Sequence, residues 1–245
     1  MAAIASGAVL WGVFKVSDSE GLPPSSPRRV TSRPGPESEP AIAPGGTEIA
    51  YTYTEDGNTD IWVTDVRGGT SLRLTSRPAK DRLPAWFPDG TSLAFASDEG
   101  GTTSIWTIPR FGGSPMLLIP NASDPAISPD GKQVSFSRPG PGGYTRIWVA
   151  PLSDVGLARV LTGDKDGLWK HACSAWSPDG KTLCYQAQRG LWLVPAGGGV
   201  CQPFTRDDQA DEDPAWSPDG RHIYFSSFRD GTLAIWRKTP NGGSA

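Results

Sequence analysis

The sequence is poor in the residues that most enzymes use to bind metals or to attack substrates. It has two histidines and three cysteines among 245 residues. Two histidines cannot build a histidine-rich metal centre, and three cysteines do not form a disulfide framework. No Gly-x-Ser-x-Gly, phosphate-loop or His-Glu-x-x-His motif is present. We therefore expect a protein that is not an enzyme and has no cofactor or metal, with reduced thiols at Cys173 and Cys184 rather than a cross-strand disulfide.

The sequence also lacks strong charge and long helical segments. The net charge is −3, and Arg28-Arg29 is an isolated basic pair. No basic surface for a nucleic acid is therefore expected. The 30 glycines and 24 prolines interrupt every window long enough to test for an amphipathic helix. This pattern predicts an all-β protein.

A seven-residue motif with the form Pro-Ala-Trp-Ser-Pro-Asp-Gly recurs along the chain. Proline presets φ at the first central position of a turn, aspartate bonds the local backbone, and glycine takes the left-handed position. Each copy therefore predicts a short strand that runs into a tight turn. The five copies, of which the first is the weakest, are residues 40–46, 84–90, 125–131, 174–180 and 214–220.

The rest of each unit repeats as well. An aliphatic and an aromatic residue follow each turn two positions apart, which places both on one strand face. An Ile-Trp or Leu-Trp strand, a Gly-Gly turn and a Leu-Thr strand come next, although the third unit lacks the Gly-Gly pair. The tryptophans of this series are spaced by 44, 42, 44 and 44 residues, at Trp62, Trp106, Trp148, Trp192 and Trp236. Four strands in 40–45 residues is the period of a β-propeller blade.

Five repeats are visible, and the fifth has three of its four strands. Val30-Thr31 aligns with Leu74-Thr75 of the next unit, so it could supply the missing outer strand and close a five-bladed ring. The alternative is a truncated six-bladed ring. We expect closure by Val30-Thr31.

Three segments are predicted. Residues 1–15 form an apolar stub, residues 16–29 a Ser/Pro-rich linker, and residues 30–245 the propeller. Residues 2–14 are too short to cross a bilayer as a helix and lack the basic start of a signal peptide. They are open to interpretation as a poor signal peptide, an interfacial anchor or the tail of a transmembrane helix, and we favour the last.

The repeat resembles that of the TolB-type β-propeller family over residues 30–241. In this family the repeat occurs in the translocation protein TolB, in propellers attached to serine peptidases, and in membrane-anchored bacterial regulators and kinases. The apolar stub, the tether and the blades are most similar to the last arrangement. True TolB proteins also carry an α/β domain before the propeller, for which this chain has no room.

Acidic residues precede the Pro-Ala pair of several units. Glu39, Asp124 and Asp213 stand directly before it, and Asp81 lies three residues before its own pair. Propeller geometry predicts that these carboxylates gather at one mouth of the central channel. They would form either a ring that binds a cation or a peptide terminus, or only a hydrated rim of strand caps. Trp169 and His171, in the long loop 163–172, are further candidate binding residues.

These features predict a monomeric binding or sensing module that recognises a protein or peptide, without nucleic acid. The resemblance implies a periplasmic or extracytoplasmic location, with membrane attachment through residues 2–14. The alternatives are an accessory propeller of a peptidase or other hydrolase, and a structural component of the envelope similar to TolB.

Overall fold

The computed structural model describes residues 29–31, 33–163, 170–188, 190–206 and 210–240. The apolar stub, most of the linker and Trp169 lie outside these ranges. Within them no helix is both long and apolar enough to span a membrane. The helical content of the described ranges is three short 3₁₀ turns at Glu99–Gly101, Pro141–Gly143 and Val155–Leu157.

The protein is an all-β, five-bladed β-propeller, as the sequence predicts. Each blade is an antiparallel sheet whose strands follow one another in chain order. The first blade contains β1 (Glu37–Ile42), β2 (Glu48–Glu55), β3 (Asn58–Asp65) and β4 (Leu72–Arg73). The second contains β5 (Asp81–Trp86), β6 (Ser92–Ser97), β7 (Ser104–Pro109) and β8 (Met116–Ile119). The third contains β9 (Ser123–Ile127), β10 (Gln133–Pro139), β11 (Thr145–Pro151) and β12 (Arg159–Val160).

The last two blades follow the same order. The fourth contains β13 (His171–Trp176), β14 (Thr182–Ala187), β15 (Gly190–Pro195) and β16 (Gln202–Pro203). The fifth contains β17 (Glu212–Trp216), β18 (Ile223–Ser227) and β19 (Ala234–Lys238). Its three strands match the three expected from the sequence.

The Pro-Asp-Gly turns are built as their chemistry predicts. In the fourth blade the Ser177 hydroxyl donates to Asp179 Oδ1 at 2.6 Å, and the same oxygen accepts from the Lys181 N–H at 3.1 Å. These hydrogen bonds lower the pKa of Asp179. Gly180 has a φ of +69°, which a side chain would strain. The repeated aspartates are therefore explained by the turn itself.

Apolar cores lie between successive blades. Each core combines one blade's third strand with the second strand of the next, as in the cluster that includes Ile61, Leu93 and Phe95. The innermost strands add a polar link, because the indole N–H groups of Trp86, Trp176 and Trp216 donate to alanine carbonyls of the preceding blade at 3.0–3.2 Å. The Ala-Trp pair thus joins neighbouring blades around the channel.

Threonines at the ends of the outer strands provide a second link. The Thr75 hydroxyl accepts a hydrogen bond from the Ile61 N–H at 3.0 Å. Equivalent bonds run from Ile147 to Thr162 at 3.1 Å and from Leu191 to Thr205 at 2.9 Å. The apolar-threonine part of the repeat therefore anchors the outer strand to its own blade in the first, third and fourth blades.

The expected closure by Val30-Thr31 is wrong. Within the described ranges β19 has no fourth strand, and no contact comparable to the other blade interfaces joins the fifth blade to the first. Thr31 instead donates to Glu37, and the Arg33 guanidinium lies 3.8 Å from the Trp62 ring centre. The register of β3 with β4 would place Arg28 opposite Arg237, and like charges in that position oppose pairing.

The three cysteines are free thiols, as expected. Cys184 pairs across the hairpin with Ala175 rather than with Cys173, because the innermost strand bulges between Ala172 and Ala175. The same bulge recurs in other blades and shapes the central channel.

Candidate functional site

The innermost strand of every blade carries one residue in the left-handed conformation. The innermost strand of each of the five blades shifts register at that point. A side chain resists this conformation, and clusters of such residues occur most often at binding and catalytic sites. The five residues, with φ between 46° and 56°, are Glu39, Leu83, Asp124, Cys173 and Asp213.

These five positions come together at the channel mouth. They line a cavity of about 450 Å³ with the proline and alanine residues that follow them. The predicted gathering of Glu39, Asp124 and Asp213 is present in the structure. Leu83 and Cys173 interrupt the acidic ring in the second and fourth blades.

The negative charge of Glu39 is largely compensated by residues of the second blade. Its carboxylate forms an ion pair with Arg82, and it accepts a hydrogen bond from the Leu83 N–H at 2.9 Å. The carboxylate therefore ties the first blade to the second, while the half-exposed Arg82 side chain places a positive charge at the same rim.

Asp124 and Cys173 form the opposite side of the ring. Asp124 accepts a hydrogen bond from the Ser137 hydroxyl, and Cys173 Sγ lies 3.6 Å from Asp124 Oδ1. Burial, followed by the negative charges of Asp124 and Asp213, raises the pKa of Cys173 well above its usual value. The thiol is therefore held protonated, which disfavours a role as a nucleophile.

Asp213 is the most perturbed carboxylate of the ring. Burial is the main cause, and the charges of Glu212, Glu39 and Asp124 add to it, so that the pKa of Asp213 rises to about 6. The Ser226 hydroxyl at 3.4 Å opposes this shift only weakly. A cation at the mouth would relieve the repulsion among these carboxylates.

The other acidic candidate does not reach the mouth. The Asp81 side chain is buried beside Thr75 and Ser97, both of which hydrogen-bond to it, and burial raises its pKa. Its place is at the interface between the first and second blades.

His171 occupies the equivalent position in the fourth blade. It is fully buried, with Nδ1 2.5 Å from the Thr162 hydroxyl, and its ring lies beside Tyr185. His171 thus links the third blade to the fourth, whereas Trp169 lies outside the described residues.

One sequence position identifies all five residues of the ring. The position directly before the Pro-Ala pair, or its Ser-Ala equivalent in the fourth blade, identifies Leu83 and Cys173 as readily as the acids. A prediction restricted to acidic residues omits Leu83 and Cys173 from the ring and wrongly includes Asp81. Arg82 could not be found in this way, because its contact with Glu39 crosses from one blade to the next.

The channel mouth combines hydrogen-bond acceptors with an apolar wall. Asp124 and Asp213 offer acceptor oxygens in a partly desolvated cavity, and Leu83 with the prolines provides an apolar wall. Such a mixed surface fits an ammonium group attached to an extended chain. Among the described residues, no group of three or more histidine, cysteine and acidic side chains is placed to hold a metal ion.

Comparison with known proteins places this geometry in a family. The TolB beta propeller domain family matches residues 22–166, more than half of the chain. The chain belongs to this family. An uncharacterised protein of Agrobacterium fabrum is 34% identical over 126 residues, which cover 50% of the chain and 41% of that protein. The uncharacterised peptidase YuxL of Bacillus subtilis is 30% identical over 115 residues, 43% of the chain and 17% of the peptidase.

Solved structures agree on the fold. A structure described as a TolB of Agrobacterium tumefaciens has a TM-score of 0.74 and 21% identity, and the match covers 86% of the chain and 80% of that structure. TolB of Acinetobacter baumannii gives a TM-score of 0.73 and 21% identity over 85% of the chain and 53% of that structure. The chain spans less than half of both sequence relatives, so activities of those whole proteins do not transfer to it.

Proposed function

We propose that this TolB-family propeller is a non-catalytic module that binds a protein or peptide at its channel mouth. The observation that carries the proposal is the pair Asp124 and Asp213, held at strained backbone positions in one partly desolvated cavity. Neither carboxylate forms a described ion pair, in contrast to Glu39 with Arg82. The mouth therefore offers uncompensated negative charge to a ligand.

The ligand class follows from this chemistry. A peptide amino terminus or a lysine side chain supplies an ammonium that both carboxylates accept, and its chain packs on Leu83 and the channel prolines. The cavity volume of about 450 Å³ is of the size that accommodates a few residues. We expect binding of an inserted terminus or loop rather than of a flat surface.

The proposal places the module outside the cytoplasm as part of a membrane-anchored regulator. Support comes from family membership and from the apolar residues 2–14 followed by a Ser/Pro-rich tether. Immunoblotting of membrane and soluble fractions tests this part. Recovery in the membrane fraction that is lost when residues 2–14 are deleted supports it, and recovery in the cytoplasm contradicts it.

An accessory propeller of a peptidase is the second candidate, because one sequence relative is described as a peptidase. The two functions differ in what happens to a bound peptide. Incubating the protein with a library of peptides that have free amino termini, followed by mass spectrometry, measures capture and cleavage together. The proposal predicts capture of intact peptides, whereas turnover of library members by the purified chain would contradict it.

Capture must also depend on the channel. Asp124→Asn combined with Asp213→Asn neutralises two carboxylates of the ring. A matched control, Glu55→Gln with Asp230→Asn, removes the same charge from exposed positions outside the channel lining. We expect capture to be lost in the first variant and kept in the second.

A further inference from the structure

A second cavity lies where the second, third and fourth blades meet. Its volume is about 440 Å³, and Asp124 lines both this cavity and the channel mouth. The charged side chains among its described lining residues are Arg138, Lys170 and Asp124, two basic and one acidic. The second cavity therefore has the opposite charge balance to the acidic channel mouth.

Arg138 is anchored by the backbone and the aromatic rings of the third blade. Its Nε donates to the Asn121 carbonyl at 3.2 Å, and its Nη2 donates to the Pro120 carbonyl at 2.8 Å. The guanidinium carbon lies 5.0 Å from the ring centre of Phe136 and 5.6 Å from that of Trp148. The third nitrogen, Nη1, has no hydrogen-bond partner among the described residues. It is a donor whose position is already fixed, so a ligand would lose little side-chain entropy in binding it.

An arginine over the equivalent tryptophan forms an ion pair in other blades. The pairs in the first, second and fifth blades are Arg73 with Asp60, Arg77 with Glu99 and Arg229 with Asp211. Arg138 forms no such pair with any carboxylate in the described part of the chain, and burial lowers its pKa. The third blade therefore holds a partly desolvated cation without a compensating charge.

The sequence of the third blade explains why the acidic partner is missing. Asp60 stands two residues before the tryptophan of its blade, and Asp211 stands two residues before the ring residue of its blade. The corresponding residues of the third blade are Arg146 and Ala122. Neither can supply a negative charge to Arg138.

Lys170 provides the second positive charge from the fourth blade. Its backbone forms a parallel bridge with Thr145 of the third blade, and its carbonyl accepts a hydrogen bond from the Gln188 N–H at 3.1 Å. The side chain is exposed, and its ammonium has no partner within the described ranges. Two cations from neighbouring blades thus line one cavity.

Asp124 does not compensate these two charges. Its Oδ2 accepts a hydrogen bond from the Ser137 hydroxyl, and its Oδ1 lies 3.6 Å from Cys173 Sγ. The carboxylate therefore contacts residues toward the channel ring and pairs with neither cation.

We propose that this cavity binds a small organic anion, whose carboxylate or phosphate oxygens accept hydrogen bonds from Arg138 Nη1 and Lys170 Nζ. Hydrogen bonds between ionised groups are roughly twice as strong as those between neutral groups. A volume of about 440 Å³ is in the range of small-molecule sites, and it leaves room for the organic part of the ligand. The proposal does not depend on the function proposed for the channel mouth.

Calorimetric titration of the full chain with two anions tests the proposal. Succinate and glycerol phosphate are the probes, and the tighter of the two identifies carboxylate or phosphate as the preferred group. Succinamide and glycerol are their neutral controls. We expect saturable binding of at least one anion, weaker binding at high salt because the charges are then screened, and no binding of the neutral compounds.

Variants of the two basic residues make the test specific to the cavity. Lys170→Gln changes an exposed side chain and should weaken binding of the preferred anion roughly tenfold, and Lys170→Glu should abolish it. Lys181→Gln, a matched change at an exposed turn outside the described lining, should leave binding unchanged. Arg138→Gln should abolish binding as well, with circular dichroism as the check that it folds.

The outcomes separate this site from the channel mouth. No saturable binding of either anion, equal binding of the neutral compounds, or equal affinities of the wild type and Lys170→Glu would overturn the proposal. The Asp124→Asn/Asp213→Asn variant should bind the anion at least as tightly as the wild type, because a carboxylate is removed from the cavity wall. Loss of anion binding in that variant would count against this site, whereas loss of peptide capture concerns the channel mouth alone.

Discussion

At Asp213, burial and the neighbouring negative charges act in the same direction. Its pKa rises from an ordinary 3.8 to about 6, and so the folded protein binds this proton more tightly than the unfolded chain does. Stability therefore falls as pH rises from about 4 to about 6, and the loss is complete above that range. A residue that lowers stability at neutral pH is expected where function requires the charge.

Asp213→Asn should remove the loss of folding stability that the ionised Asp213 causes at neutral pH. We expect the variant to be more stable than the wild type by roughly 1–3 kcal/mol at pH 7.5, with the difference shrinking toward zero near pH 4. Chemical denaturation at a series of pH values measures it. The exposed control Asp230→Asn should show no such pH dependence, and a stability difference that is the same at every pH would disprove the buried-charge explanation.

At the scale of the strand, the outer strands of the first, third and fourth blades are each held by one threonine. The Thr75 hydroxyl accepts from the Ile61 N–H and also contacts the buried Asp60 and Asp81 carboxylates. The link thus connects the first blade to the innermost strand of the second. The short strand β4 adds only two residues of pairing, so the threonine carries much of the attachment.

Thr75→Val should leave the Ile61 N–H buried without its acceptor. We expect a loss of about 2–3 kcal/mol in the free energy of unfolding. Thr70→Val, at an exposed position of the same connection, should change it by less than about 0.5 kcal/mol. Thermal and urea denaturation measure both variants, and equal effects would show that the threonine link is unimportant.

The strand order, the turns and the blade boundaries could be predicted from the sequence because they depend on local chemistry repeated five times. Three features could not be predicted, since they depend on contacts between blades. Asp81 and His171 carry side chains that suit a binding site, yet their strand positions bury them against threonines of the preceding blade. The ion pair of Arg82 with Glu39 has a sequence separation of 43 residues, which no local pattern reveals.

At the scale of the whole molecule, the closure prediction failed for a reason of charge rather than of pattern. Val30-Thr31 has the right residues for an outer strand, but Arg28, two positions before Val30, would face Arg237 in the register of β3 with β4. The N-terminal segment packs instead on the first blade, where Arg33 covers Trp62.

The channel mouth carries the central claim, and its charge state should control binding. The affinity of a captured peptide with a free amino terminus should increase about tenfold from pH 5 to pH 7, because Asp213 becomes ionised with a pKa of about 6 while the ammonium remains charged. Calorimetric titration of the wild type and of the Asp124→Asn/Asp213→Asn variant across this range measures it most directly. The account predicts a pH-dependent affinity in the wild type and weak, pH-independent binding in the variant. Equal affinities in the two proteins would place the ligand elsewhere and contradict the account.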